Sequence, residues 1–191
     1  MKRIIYFFAL SIAIYSCSGN SSDIKVEKAE HKDTIADTFE ERQAEIDKYT
    51  ALLFADSLNF NKQHAEKLLH AYEEFIKYHS FEAVSKDYQF KAGELAKALN
   101  KPHVAIKHFN DLLERDPKHE KAPLALFYKA MIIGDMLHED ELAKATYQEF
   151  IDKYPDHPFV ESAKESIKLQ GKSLDEIVAG FEKQNEGTAE K

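Results

Sequence analysis

The chain carries one cysteine, nine histidines and 34 acidic side chains, and these are its candidates for chemistry. Cys17 is the sole thiol. A thiol can serve as nucleophile, metal ligand, disulfide partner or lipid acceptor. The histidines do not fall into a metal-binding order. No pair sits four apart around a carboxylate base, the helical arrangement that holds zinc. His70, His79, His108 and His119 fall at repeat-unit positions and read as structural residues, partly buried or solvated. The six glycines do not cluster into a phosphate-cradling loop, and there is no Gly-x-Ser-x-Gly elbow. Acidic runs such as Glu139-Asp140-Glu141 read as helix N-terminal charges on a solvated face. The expectation is therefore no catalytic residue, no metal site, no cofactor and no enzyme.

The surroundings of Cys17 decide which of its roles applies. Met1-Lys2-Arg3 is a short basic start, and Ile4 to Tyr15 is an apolar run. A membrane-spanning helix needs about 20 apolar residues, so this run is too short. It has the length of the apolar region of a secretory signal peptide. Ile14-Tyr15-Ser16-Cys17 resembles the lipobox of bacterial lipoproteins, with an aliphatic residue three before the cysteine and a small one just before it. Tyr15 departs from the small residue usual there. The other reading is an ordinary signal peptide with a chance cysteine.

The resemblance implies cleavage before Cys17 and a thioether-linked lipid on it. The acyl chains would anchor the protein and leave no thiol for a disulfide. In similar lipoproteins Asp after the cysteine favours the inner membrane. Ser18 at that position implies the outer membrane, with the domain facing the periplasm. Residues 1–16 are thus expected to be the signal peptide and 17–36 a lipidated flexible tether. At roughly 5–6 Å × √n, such a tether holds the helical domain about 25 Å from the bilayer.

The elements beyond the tether read as helices. Hydrophobic residues make up 43%, Gly and Pro are few, and alternating Val, Ile and Thr are absent. Three segments repeat an aromatic, two further residues, a large apolar pair and a turn. They begin at Tyr72, Phe109 and Tyr147, so the period is 37 and then 38. Phe90-Lys91-Ala92 and Tyr128-Lys129-Ala130 align at the same offset. Such a period holds two helices and two turns. Ala105, Phe109, Leu112 and Leu113 lie at i, i+4, i+7 and i+8, as do Ala143, Tyr147, Phe150 and Ile151. Each set forms one apolar stripe.

Ala105-Phe109-Pro117 and Ala143-Tyr147-Pro155 follow the small-aromatic-proline spacing of the tetratricopeptide repeat, which these segments resemble. Leu68 and Ser80 replace two of these residues in the first unit, and the Trp of the motif is missing. The resemblance implies an all-α fold: a short right-handed superhelical stack of antiparallel helix pairs, about three units, with terminal capping helices. Ala92 and Ala130 take the small-residue places where helices approach closely. Phrases such as Tyr147-x-x-Phe150-Ile151-x-x-Tyr154-Pro155 are similar to repeats of envelope lipoproteins, both BamD-like ones of outer-membrane assembly and CpoB-like partners of the Tol-Pal system.

Capping places the boundaries. Thr38-Phe39-Glu40-Glu41 is a capping box opening a helix to about Phe54. Helices are expected over 62–79, 83–99, 102–115, 122–137, 140–154 and 158–170. Ser173-Leu174-Asp175-Glu176 opens a last one to about Lys183, whose Ile177, Val178 and Phe181 stripe is expected to cap the stack. The repeat domain is thus 37–183, with a disordered tail at 184–191.

The candidate partner groove lies on the first helices of the units: Phe90, Glu94 and Lys97, with Tyr128, Ile132 and Asp135 one unit later. Partners expected from the resemblance are envelope proteins or peptides. Net charge is −8 and no basic patch interleaves with aromatics, so nucleic acid is not an expected partner. The expected function is a membrane-anchored, non-catalytic interaction scaffold of the envelope, in outer-membrane biogenesis or Tol-Pal-linked maintenance. The alternative is a ligand-capture lipoprotein for glycans or nutrients, although exposed Trp platforms are missing.

Overall fold

A computed structural model describes residues 38–56 and 59–189. Cys17, the expected signal peptide and the tether lie outside the described residues. The described part contains eight helices and no strand: α1 (Phe39–Phe54), α2 (Lys62–Tyr78), α3 (Ala83–Ala98), α4 (Pro102–Arg115), α5 (Ala122–Asp135), α6 (Asp140–Lys153), α7 (Val160–Leu169) and α8 (Leu174–Ala189). No described helix is long and apolar enough to cross a membrane.

The two capping boxes the sequence signals are formed, and Asn61 adds a further cap. The Glu41 amide donates to Thr38 Oγ1 at 3.2 Å, and the Glu41 carboxylate accepts from the Thr38 amide, closing the capping box. Ser173 and Glu176 close the second one. Asn61 caps α2 by accepting from the His64 amide at 3.0 Å. Pro102 occupies the first turn of α4, where a missing N–H costs little.

Helices α1 to α7 pack in sequence as antiparallel neighbours, with α3 also touching α5. The period is written in the backbone of the turns. The Glu82 amide donates to the His79 carbonyl and the Ser85 amide to the Glu82 carbonyl. His119 with Asp116 and Ala122 with His119 repeat that pair one unit on. His157 with Tyr154 and Val160 with His157 repeat it again. Asn100 and His138, 38 residues apart, share a φ of +58° at the turns after α3 and α5.

The side chains repeat too. Phe75, Phe109, Leu112 and Phe150 are at most 1% exposed, and Tyr72 and Tyr147 are buried. Ala92, Ala105, Ala130 and Ala143 are fully buried, as small residues at close helix approaches must be. Gly93 is tighter still. A Cβ there would lie 2.5 Å from Phe109 Cε1, so α3 and α4 meet at van der Waals range only because that position has no side chain.

Helix α5 serves both halves of the core. Ala125 and Ile132 join the cluster built on α1 to α4. Leu126 and Ala130 join the one built on α6 and α7. A helix apolar on every side must be covered on every side.

Helix α7 closes the last pair with a polar outer face. Val160 and Ala163 are buried against the preceding pair, while Glu161, Lys164, Glu165 and Lys168 face outward. Lys164 pairs with Glu161 and Lys168 with Glu165, each at 2.7 Å. A polar outer face is what ends a repeat array. On α8, Leu174 and Val178 are exposed and Ile177 is only partly covered. The helix also continues to Ala189, past the end of the apolar pattern.

Gly93→Ala should destabilise the chain by about 1–3 kcal/mol in denaturant unfolding, through the clash with Phe109. Gly180→Ala, where a new Cβ meets nothing within 4 Å, should be neutral or raise stability by roughly 0.5–1 kcal/mol. Equal effects would contradict the tight α3–α4 contact.

Candidate functional site

An apolar concave surface lies between α1 and α3. Near their starts these helices are bridged by the Tyr88 hydroxyl, which donates to Gln43 Oε1 at 2.6 Å. Their C-terminal halves leave a groove of about 570 Å³. Leu53, Leu68, Tyr72, Leu95 and Ala98 are among the residues that line it. Leu68 and Tyr72 belong to α2, which closes the back. Phe54 and Phe60 stand on either side of the α1–α2 turn and are 71% and 56% exposed. Asn59 Nδ2 donates to Asp56 Oδ2 at 2.8 Å, bracing one side of that turn.

Both aromatics escape a sequence reading for local reasons. Phe60 directly precedes the N-cap of α2, a position whose apolar side chain ordinarily packs on the fourth helical residue. That residue is Ala65, small and fully buried, and Phe60 remains exposed. Phe54 is the last residue of α1 and follows the buried Leu53. The available signal was the pair of aromatics flanking a helix break.

Two half-buried carboxylates, Glu73 and Glu94, have acidities shifted in opposite directions. Glu94 lines the groove, and burial raises its pKa, opposed by Lys97, Lys121 and Lys91. Glu73 lies on the polar face between α2 and α4. A hydrogen bond with His108 holds its pKa low, partly offset by burial. His108 is 4% exposed. Its Nδ1 accepts from Gln89 Nε2 at 2.9 Å, which leaves Nε2 to donate to Glu73 Oε1 at 3.2 Å. This buried network ties α2, α3 and α4 together. At the groove floor, burial also raises the Tyr72 pKa.

The six groove residues expected from sequence divide. Phe90 is 5% exposed and Ile132 1%, so both are core rather than lining. Phe90 stacks on Tyr128 with centroids 6.1 Å apart, and also packs on Phe109. Ile132 takes its place because α5 is covered on that side by the preceding helices. Glu94 and Lys97 are half-buried, and Asp135 is exposed. The Lys97 ammonium sits 4.4 Å from the centroid of the half-buried Tyr128 ring. Of the six, only Glu94 also lines the apolar groove between α1 and α3. Among the described residues no cluster of His, Cys, Asp or Glu is arranged to hold a metal ion.

Residues 87–119 and 124–157 each match the tetratricopeptide repeat. The first segment covers most of α3 with α4, the second most of α5 with α6, in the register that the period predicts. Comparison with curated proteins gives no match. Repeats of this kind point to a protein–protein interaction scaffold.

The two carboxylates predict opposite effects on stability. Glu73 has a depressed folded pKa. Its contribution is present above the ordinary carboxylate value and is lost as pH falls through the folded value. Glu94 has a raised folded pKa, so its charged form is penalised as pH rises above that value. At pH 7, Glu73→Gln should lower the melting temperature and Glu94→Gln should raise it. Calorimetry showing both shifts in one direction would refute the assignment.

Proposed function

We propose that the chain is a non-catalytic scaffold of the cell envelope, anchored through a lipid on Cys17, that takes an apolar segment of a partner protein into the α1–α3 groove. The observation that carries the groove assignment is the pair Phe54 and Phe60, large aromatics exposed beside an apolar floor. Exposed aromatics at the mouth of a pocket are typical interface anchors, because they bury much area at little entropic cost. The tetratricopeptide repeats support the scaffold role.

The envelope address rests on the sequence. A basic start, an apolar run too short to span, and a cysteine at its end resemble a lipoprotein signal. Ser18 after the cysteine favours the outer membrane, with the domain toward the periplasm. Its partners there are envelope proteins of outer-membrane biogenesis or of Tol-Pal-linked maintenance.

Two measurements separate the parts of this reading. Cys17→Ala should move the protein from the membrane fraction to the soluble fraction or leave it unprocessed; unchanged partitioning of a processed chain refutes the anchor. Crosslinking in native membranes with mass spectrometry should recover barrel-assembly components or Tol and peptidoglycan factors. Phe60→Asp should reduce that recovery at least tenfold while the melting temperature stays unchanged. Recovery unaffected by Phe60→Asp removes the groove from the mechanism.

A further inference from the structure

We infer that the docking of α7 is acid-sensitive: a proton on His157 uncaps the helix, and its N-terminal end lifts from the last pair. The inference needs neither the groove nor the lipid anchor proposed above.

The observation is a helix cap made by an imidazole. The N-cap residue of α7 is Phe159, and its side chain makes no capping hydrogen bond. Its amide donates instead to Nδ1 of His157 at 3.2 Å. An imidazole nitrogen accepts only while it carries no proton. A proton there sets a donor against a donor, and an amide at the helix start loses its partner. A backbone amide has no second orientation in which to avoid that conflict. The positive end of the α7 dipole lies at the same place and opposes an imidazolium.

The same turn occurs one unit earlier and supplies an internal comparison. His119 Nδ1 accepts from the Lys121 amide at 3.2 Å. On its other side, His119 Nε2 lies 3.6 Å from Asp87 Oδ1 of α3. Asp116, paired with Lys86 of α3 at 2.9 Å, also interacts electrostatically with His119. Lys118, Glu120 and Lys121 complete the charges of that turn. Two carboxylates therefore compensate a proton on His119. His157 has no such partner. Its ring packs edge-on against Phe150 of α6 and against Phe159, each at 5.4 Å. From α5 the turn meets the Phe127 ring, 5.1 Å from that of Phe159. Among the described residues His157 joins no ion pair. The nearest charges along the chain are Asp156, Lys153 at the end of α6 and Glu161 in the first turn of α7.

The direction of the effect follows. The lifted segment takes up the proton without conflict and the docked one does not. The cap is therefore present above the range in which histidine gains its charge, and is lost as pH falls through it. The far end of α7 stays tied, because Gln170 Nε2 donates to Asp140 Oδ1 at 2.9 Å. The helix thus hinges rather than leaves. Val160 and Ala163 pack with Leu126, Tyr147 and Phe150, and lifting uncovers that cluster. The matching place in the first unit is taken by Glu82, whose turn has no imidazole cap.

Amide hydrogen exchange of the full chain, corrected for the intrinsic effect of pH, tests this at about pH 7.5 and about pH 5.5, where ordinary carboxylates stay ionised. Protection from Phe159 to Ala163 should fall about tenfold at the lower pH. Protection at the start of α5 should fall less, and at the start of α3 not at all. Unchanged protection at the start of α7, or equal loss at all three turns, overturns the inference. His157→Asn supplies the second arm. The Asn side-chain oxygen accepts from the amide two residues on and takes up no proton in this range, so the pH effect at α7 should vanish. A variant that keeps the effect overturns the inference as well. If the variant is loose at both pH values, the imidazole nitrogen resonances of the unaltered chain decide. Loss of Phe159 protection that tracks the proton on His157 Nδ1 upholds the inference, and a protonated Nδ1 beside a still-protected Phe159 amide overturns it.

Discussion

A helix pair has two apolar flanks and can cover only one of them by itself. That constraint organises the whole stack. Each unit buries the same second-helix position, Phe75, Leu112 or Phe150, and each closes one flank of its neighbour. Stability is therefore a matter of consecutive interfaces rather than of one central core. Helix α5, apolar all round and shared between both clusters, is where the two halves become a single cooperative structure.

Serial packing explains where the molecule is closed and where it is open. Between α3 and α4 the approach is so tight that Gly93 admits Phe109 against its backbone. Between α3 and α5 the first helices touch directly. Helices α1 and α3 are joined by a hydrogen bond near their starts, and a groove remains beyond it. The first unit is also the degenerate one, with Leu68 where the others have Ala105 and Ala143. Leu68 is itself one of the residues lining the apolar concavity.

The polar interior follows the same logic on the opposite face. Gln89 and His108 are buried between their helices, and Glu73, at the edge of the stack, accepts from His108. Arg42, 3% exposed, lies over the Tyr78 ring with its guanidinium carbon 4.0 Å from the centroid. These groups fix register between neighbours, since a buried polar group displaced by one turn would lose its partners.

The sequence alone determined the helices, their caps and the repeat. Apolar spacing at 3.6 residues and capping boxes are local signals, and Thr38 and Ser173 act within one turn of where they stand. The period places Phe109 and Tyr147 in equivalent surroundings for the same reason. The sequence could not assign Phe90, Ile132 or α8, because a helical stripe shows that a face is apolar without showing what covers it. Phe90 and Ile132 lie on stripes that look like groove walls and prove to be core, whereas Phe54 and Phe60 look incidental and stand at the groove. Only tertiary packing decides these, since burial belongs to the neighbours a side chain meets and not to its own place in the chain.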